Sequence, residues 1–439
     1  VDFYLINEKN VRGNHQLKIS VTDYQGKVME VGTYETEAAG GEVYGQLLVK
    51  DVKIPVPTAG GLCRIEAKLC KENSVVTTGY DDILSVNLAS NMLDGKGAVW
   101  EDGSALQNFL KGKTKEAVAA YEDNLGKLDW IMVARPPRKD QLTMVPMEAL
   151  RSADGKPGLD VVYYEDMEFQ KEVYHEVAKV VNLSAIEGAT PSPFVYMLDG
   201  YGIKWSGKLL PSVSGEYTII PQSNDRSMIE VFVNGKKIYE ITRKKEHLGD
   251  GKVYLEGGKS ADIEIRFRHP RSNARCRLDW AVPNDKMPDA QRLMERAVND
   301  GTKIFIIQSA DEWSEFIAAN SKVVFKDKFF VGTNWLGGVM FNKPHDIFKE
   351  LPVGNALNWP YQALIHTGVE RMGLVMEGEE LLVGAYHTYP MAIGTAMGIV
   401  PMGKGSVLFS TLDIYGNIIN DSAAGLVAKK LIFNMIDFK

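Results

Sequence analysis

Leu128-Asp129-Trp130-Ile131-Met132-Val133-Ala134 is a mostly apolar run closed by Pro136-Pro137. A strand apolar on both faces belongs inside a parallel sheet, where helices cover each side, and proline ends it because proline cannot donate to a ladder. In an α/β unit the next helix should follow after a loop of about two to six residues. None does. The next helical periodicity is Met287–Val298, where Ala290, Leu293, Met294 and Ala297 share one face and Gly301 supplies the stop. Lys303–Ile307 then reads as another buried strand. We therefore expect two distant segments to share one α/β core, with residues 137–283 lodged between them.

Upstream of that strand, Ala98-Val99-Trp100 is a short strand candidate, Ser104 is placed to cap a helix, and Leu106, Phe109 and Leu110 follow at helical spacing. Downstream, the same rhythm continues with a helix near Asp311–Ala319, extended segments at Leu381–Ala385 and Ser406–Thr411, and a closing helix over about 423–435. Residues 1–90 differ: short strands are separated by turns such as Tyr24-Gln25-Gly26-Lys27, and Leu17, Ile19 and Val21 alternate with Lys18 and Ser20. That alternation predicts an antiparallel sandwich with one wet face. Strand signals return between Gly158 and Pro283, and Asn234-Gly235 between two alternating runs marks a tight hairpin, because both central positions of that turn need positive φ. The expected plan is multi-domain, β plus α/β: residues 1–90 a sandwich, 91–136 and 284–439 two parts of one α/β domain, and 137–283 an inserted β module.

At 439 residues the chain is too long for one core, and 45% hydrophobic with 24% charged residues suits globular modules. A net charge of −7 argues against a surface made for nucleic acid or anionic lipid. The basic runs Arg135–Lys139 and Arg243–Lys245 are short and read as solvated loops. No apolar run approaches the roughly 18–20 residues of a membrane span. Cys63, Cys70 and Cys276 have neither metal-ligand nor disulfide spacing and are expected to be free. Val1 is not a methionine and Val1–Ile6 already alternates like a strand, as expected of a piece of a longer protein.

Several landmarks fall in a fixed order across the inserted stretch. They are Gly158-Leu159, Tyr163-Tyr164 and Phe169, then Trp205-Ser206-Gly207 before Gly215-Glu216-Tyr217-Thr218, then Ser223-Asn224-Asp225, Val231-Phe232-Val233-Asn234-Gly235-Lys236 and Leu278-Asp279-Trp280. In these the stretch resembles the sugar-associated domain of the anthrax protective-antigen family, a β-sandwich of bacterial glycosidases, yeast adhesins and toxins. Val1-Asp2-Phe3-Tyr4-Leu5-Ile6-Asn7-Glu8 resembles the first strand of the immunoglobulin-like domain that follows the barrel in family two glycoside hydrolases of the β-galactosidase type. Residues 403–413, Gly-Lys-Gly-Ser-Val-Leu-Phe-Ser-Thr-Leu-Asp, resemble the flavodoxin-type, amidotransferase-like domain appended to some glycosidases. The resemblance implies an exported bacterial parent, periplasmic or extracellular, whose catalytic barrel is not in this sequence and would be this chain's partner, along with glycan.

An amidotransferase needs a cysteine on a sharp strand-to-helix elbow and a histidine relay. After Lys303–Ile307 stands Gln308-Ser309-Ala310-Asp311, with neither a cysteine nor a Gly-x-Ser-x-Gly elbow, and Ser309 reads as a helix cap. Glycosidase chemistry needs two carboxylates about 5 to 10 Å apart, which the resemblance places on the missing barrel, so no catalytic residue is assigned. The seven histidines form no i, i+4 pair, and no metal or other cofactor is expected. Calcium is the one ion the resemblance raises, since lectin-like members hold sugar through an Asp-Asp pair on Ca2+. Asn224-Asp225 stands in a related sequence, but asparagine removes one charged ligand and Arg226 replaces the usual glycine.

Metal-free sugar binding needs an aromatic plate and nearby polar groups. Trp205 and Trp280 sit where the family packs its core. The candidate carbohydrate contacts are Asn224, Asp225, Trp335, Trp359 and Tyr361, the last three in glycine- and proline-rich loops. Three readings follow: a non-catalytic accessory region of a glycoside hydrolase, a stand-alone lectin or adhesin module, or an active α/β hydrolase using Ser309 or an unrecognised pair of carboxylates.

Overall fold

The structure, a computed structural model, describes residues 1–57, 60–72, 74–88, 92–137, 142–185, 189–223, 227–271, 274–283, 288–331, 338–354, 356–357, 359–365, 372–388 and 391–438. It is mostly β-sheet and divides into two compact units, Val1–Ser90 with Asp346–Val353, and Asn91–His345 with Gly354–Lys439. Among the described residues no helix is long and apolar enough to cross a membrane. The three cysteines are free and buried.

In the first unit an antiparallel sheet runs in the order Val28–Ala38, Gly13–Thr22, Gly61–Lys71, Ser74–Ser85, and Phe3–Ile6 pairs separately with Gly45–Val49. Leu17, Ile19 and Val21 are buried as their alternation requires, against Leu5, Cys63, Ile65 and Leu69. The turn at Gly26 (φ 85°) is held by Asp23, whose Oδ1 accepts from the amides of Gln25 and Lys27 at 2.9 Å each.

The second unit is organised on five parallel strands: β1 (Gly97–Glu101), β2 (Ala119–Ala120), β3 (Trp130–Ala134), β4 (Lys303–Ile306) and β5 (Gly405–Ser410). Their spatial order is β2-β1-β3-β4-β5. All five residues of β3 are buried, and Trp130 is in register with Gly97 on one side and Lys303 on the other. Beyond β5 the sheet continues through antiparallel strands Met391–Met402, Met372–Glu377 and Val324–Phe330. The helices are α1 (Ala105–Leu110), α2 (Ala290–Asp300), α3 (Ala310–Ala319) and a closing α4 (Ala423–Asp437). Helix α2 begins where Asp289 accepts from the amides of Gln291 and Arg292 and ends on Gly301 at φ 79°. Its Ala290, Leu293, Met294 and Ala297 pack on Ile131, Val133, Ile304 and Ile306.

Between β3 and α2 the chain forms two antiparallel sheets. One runs Glu172–Ala178, Leu159–Tyr164, Tyr201–Leu209, Ala261–His269, Met228–Val233, Lys236–Ile241, His247–Leu248. The other runs Thr143–Met144, Ala274–Ala281, Gly215–Ser223, Lys252–Leu255. Ile203, Trp205, Ile265 and Phe267 from the first share a core with Tyr217, Ile219, Cys276, Leu278 and Trp280 from the second. Both tryptophans are therefore packing residues. Asn234 (φ 48°) and Gly235 (φ 75°) make the tight hairpin. The entry and exit segments pair with each other, Thr143 with Trp280 and Met144 with Asp279.

One expected cap is made differently. Ser104 occupies the N-cap position before α1, but its hydroxyl makes no capping bond and instead accepts from the Asn108 side chain at 3.1 Å. The amides of Leu106 and Gln107 go to the Glu101 carboxylate at 3.1 and 3.0 Å. A carboxylate at the end of the preceding strand satisfies the exposed helix donors and complements their partial positive charge.

Close approach of β1 to β3 depends on Gly97, because a Cβ there would stand 2.0 Å from the Trp130 indole, which is 3% exposed. Gly97→Ala should destabilise the second unit by about 1–3 kcal/mol through overpacking. Urea unfolding followed by tryptophan fluorescence should show the loss, and Gly97→Ala with Trp130→Phe should recover part of it; a Gly97→Ala midpoint equal to wild type would remove the argument.

Candidate functional site

In an open parallel sheet, ligands bind beyond the carboxyl ends of the strands where the strand order reverses. Here that point lies between β1 and β3, and it is marked by Glu101 at the end of β1, Asp102 after it, and Arg135 after β3. The residues there are committed to one another. Arg135 is buried, ion-paired with Asp102, and stacked 5.6 Å from the Trp100 ring centroid. Its carbonyl accepts from the Trp313 indole at 2.8 Å. Asp102 also accepts from the Thr143 hydroxyl at 2.7 Å, and Thr143 belongs to the β module between β3 and α2. Tyr415 donates to Glu101 at 2.8 Å.

Burial pushes the Glu101 carboxyl above the usual carboxylate range, against the Gln107 and Leu106 amides and the Tyr415 hydroxyl, which pull it down; the charge of Glu148 adds to the rise. Tyr415 is held well above an ordinary phenol by burial and by Glu101. A second buried pair, Arg277 and Asp279, is bidentate at 2.7 and 2.6 Å, and Arg277 also feels Asp413 and Glu312 of the α/β part. Lys179 reaches the Ile419 carbonyl at 2.6 Å. Thr143 on Asp102 and Lys179 on the Ile419 carbonyl are the bonds that fasten the module to the α/β part.

Ser309 does not cap α3 as expected. It stands at the N-cap position with φ 54° and ψ 34°, a left-handed conformation uncommon for serine, and makes no capping hydrogen bond. Among the described residues no histidine hydrogen-bonds to it. The Ser–His contact that is present, Ser227 Oγ to His269 Nδ1 at 3.0 Å, lies in the β module, where His269 is fully buried and stacked on Phe267. Among the described residues no group of three His, Cys, Asp or Glu could hold a metal.

Of the residues expected to contact sugar, Asn224, Asp225 and Trp335 lie outside the described residues. Trp359 is 49% exposed in a short 3-10 turn, Trp359–Tyr361. Tyr361 is 1% exposed, and its hydroxyl accepts from the Asn342 amide at 3.3 Å; so buried, it offers no sugar platform. The sequence reading missed a groove at one end of the β module. Met167, Met228 and Pro270 give it apolar surface, and Arg243, Lys245, Arg268 and Arg271 give it charge. Its cavity volume, about 810 Å3, is in the range of small-molecule sites. Arg268 is fixed by the Met167 carbonyl at 3.1 Å, by Glu230 at 2.8 Å and by the Phe169 ring beneath it. The basic run Arg243–Lys245 was the available signal, and its partners are distant in sequence.

Residues 155–292 match the PA14 domain, so this module is a PA14 domain. The chain is 27% identical over 127 residues to anti-sigma-I factor RsgI3 of Acetivibrio thermocellus, covering 28% of this chain and 19% of that protein. It thus spans about a fifth of the length of the curated relative it matches. Among solved structures, a β-glucosidase from Kluyveromyces marxianus is similar at 12% identity and a TM-score of 0.34, covering 50% of this chain and 29% of that one. The epithelial adhesin 9 A domain of Candida glabrata, in complex with Galβ1-4GlcNAc, is similar at 13% identity and a TM-score of 0.24, covering 34% and 90%.

Two outcomes test these buried groups. Arg277→Met should cost about 3–5 kcal/mol because it strands a buried carboxylate, and adding Asp279→Leu should restore most of it; equal chemical denaturation midpoints for the two variants would contradict this. For Glu101 the folded pKa exceeds the unfolded value of about 4.3. The folded chain therefore keeps a proton that the unfolded chain has released, and this contribution to stability is full below the unfolded pKa and lost as pH rises through the folded one. Glu101→Gln should flatten the decline in melting temperature as pH rises above the unfolded carboxylate pKa, and a slope identical to wild type would refute it.

Proposed function

We propose that the chain is a carbohydrate-binding accessory region of an exported glycoside hydrolase, in which the PA14 domain engages glycan and the other parts carry it. The observation that carries this reading is the PA14 match over residues 155–292, joined to a groove that combines apolar surface with fixed polar groups. In this reading residues 1–90 form an immunoglobulin-like sandwich. Residues 91–136 and 284–439 form a flavodoxin-type, amidotransferase-like domain that hosts the module at 137–283. The order β2-β1-β3-β4-β5, which is the doubly wound order 2-1-3-4-5, supports that assignment. Polar groups at the strand ends that are spent on one another support a scaffolding role for the host rather than a catalytic one. Trp359 is the aromatic surface assigned to glycan outside the module, and Asn224, Asp225 and Trp335 keep that assignment on sequence grounds. The parent's barrel, the glycan it cleaves and its place outside the cytoplasm belong to the same proposal.

The likeness to an anti-sigma factor favours a second reading, in which a glycan-binding module reports to a regulator instead of assisting a hydrolase. Both readings place ligand recognition in the PA14 domain.

On a glycan array the whole chain should bind at least one polysaccharide class and should not turn over nitrophenyl glycosides or esters. Turnover by the chain alone would overturn the accessory role, and an array with no bound glycan would overturn carbohydrate recognition.

A further inference from the structure

We infer that the groove at the end of the PA14 domain takes an anionic saccharide, one bearing uronate carboxylates or sulfate esters, without a metal ion; this rests on the carbohydrate reading above. Four cationic side chains line it, Arg243, Lys245, Arg268 and Arg271, against one carboxylate, Glu168. This excess sits in a chain of net charge −7. Arg243 and Arg271 are exposed and have no ion-pair or hydrogen-bond partner among the described residues. Arg268 is held in place by Glu230 and the Met167 carbonyl.

The contrast with another depression on the same module is informative. That one, across the outer face of the larger sheet, holds Lys208, Asp262, Glu264 and Arg266, and its charges are matched internally: Lys208 with Asp262 at 2.5 Å and Arg266 with Glu264 at 2.6 Å. The remaining charge among its lining residues is the Asp160 carboxylate, which accepts from the Ala153 amide at 2.6 Å, so no cation is left there for an anionic ligand. The end groove has two guanidinium groups to spare, and planar guanidinium forks match carboxylate and sulfate oxygens bidentately. Met167, Met228 and Pro270 supply apolar surface for the CH faces of sugar rings. A bound divalent cation would be repelled by the same side chains. Nucleic acid would need a broader basic surface than one groove on an acidic chain.

The test uses the whole chain in EDTA, with polygalacturonate, dextran sulfate, neutral dextran and duplex DNA as probes in affinity electrophoresis and calorimetry. One anionic polysaccharide should bind at least about tenfold more tightly than dextran, and added salt should weaken it. Preference for polygalacturonate identifies carboxylate as the recognised group, and preference for dextran sulfate identifies sulfate ester. Arg243→Glu with Arg271→Glu, both at exposed positions, should lose that binding while leaving the melting temperature unchanged, and the double lysine variant should keep part of it. Equal affinity for neutral and anionic polymers, binding that survives the double Glu variant, dependence on calcium, or DNA bound as tightly as the saccharide would each overturn the inference. If neutral glycans bind without an anionic preference, the charge assignment fails while the carbohydrate reading stands; if no saccharide binds, both fail.

Discussion

Five consecutive buried residues, Trp130–Ala134, have no face or edge of their own to show to water. Their backbone is satisfied only by parallel neighbours on both sides, Gly97–Glu101 and Lys303–Ile306, and their side chains need helices above and below. Everything in the second unit follows from supplying those partners. The chain leaves this strand at Ala134, covers it with α2 on its return, and regains the sheet at Lys303. An excursion of that length is compatible with a packed sheet only because its two ends meet, Thr143 beside Trp280 and Met144 beside Asp279.

The same constraint explains what became of the strand ends. The crevice beyond β1 and β3 is where doubly wound proteins hold ligands, and here it is where the PA14 domain is tied down. Asp102 serves Arg135 and Thr143 together, and Glu101 serves α1 and Tyr415 together. Each carboxylate is shared between a local helix or strand and a distant element. Groups so committed are poor acids, bases or nucleophiles, whereas in the groove at the module's far end Arg243 and Arg271 have no ion-pair partner among the described residues.

Much of the local architecture was legible because it is written in periodicity. Leu17, Ile19 and Val21 declare one buried face, Asn234-Gly235 declares its turn, and four apolar residues with Gly301 declare α2. Features set by tertiary partners were not legible. Ser104 and Ser309 have the chemistry of caps, but the acceptor for α1 is Glu101, brought there by the strand, and Ser309 is turned to positive φ. Tyr361 stands in a proline-containing loop that suggests exposure, yet it is buried beside Asn342, because loop composition does not encode which side faces the core. The groove's cations come from a hairpin turn and from the end of another strand. Only the register that sets Ile229 against Ile241 and Met228 against Arg268 puts them together.

The meeting of the module's ends bears on the order in which the chain can assemble. Joining Trp130–Ala134 to Lys303–Ile306 through an unstructured excursion would require closing a very long loop, with an entropy cost that grows with its length. Once the PA14 strands have formed and Thr143–Met144 has zipped to Ala274–Ala281, the ends are already side by side and the remaining closure is short. During vectorial synthesis β4 and β5 also emerge last. The later-emerging segment therefore completes the parallel sheet, and the embedded sandwich acts as the splint that makes its two halves neighbours.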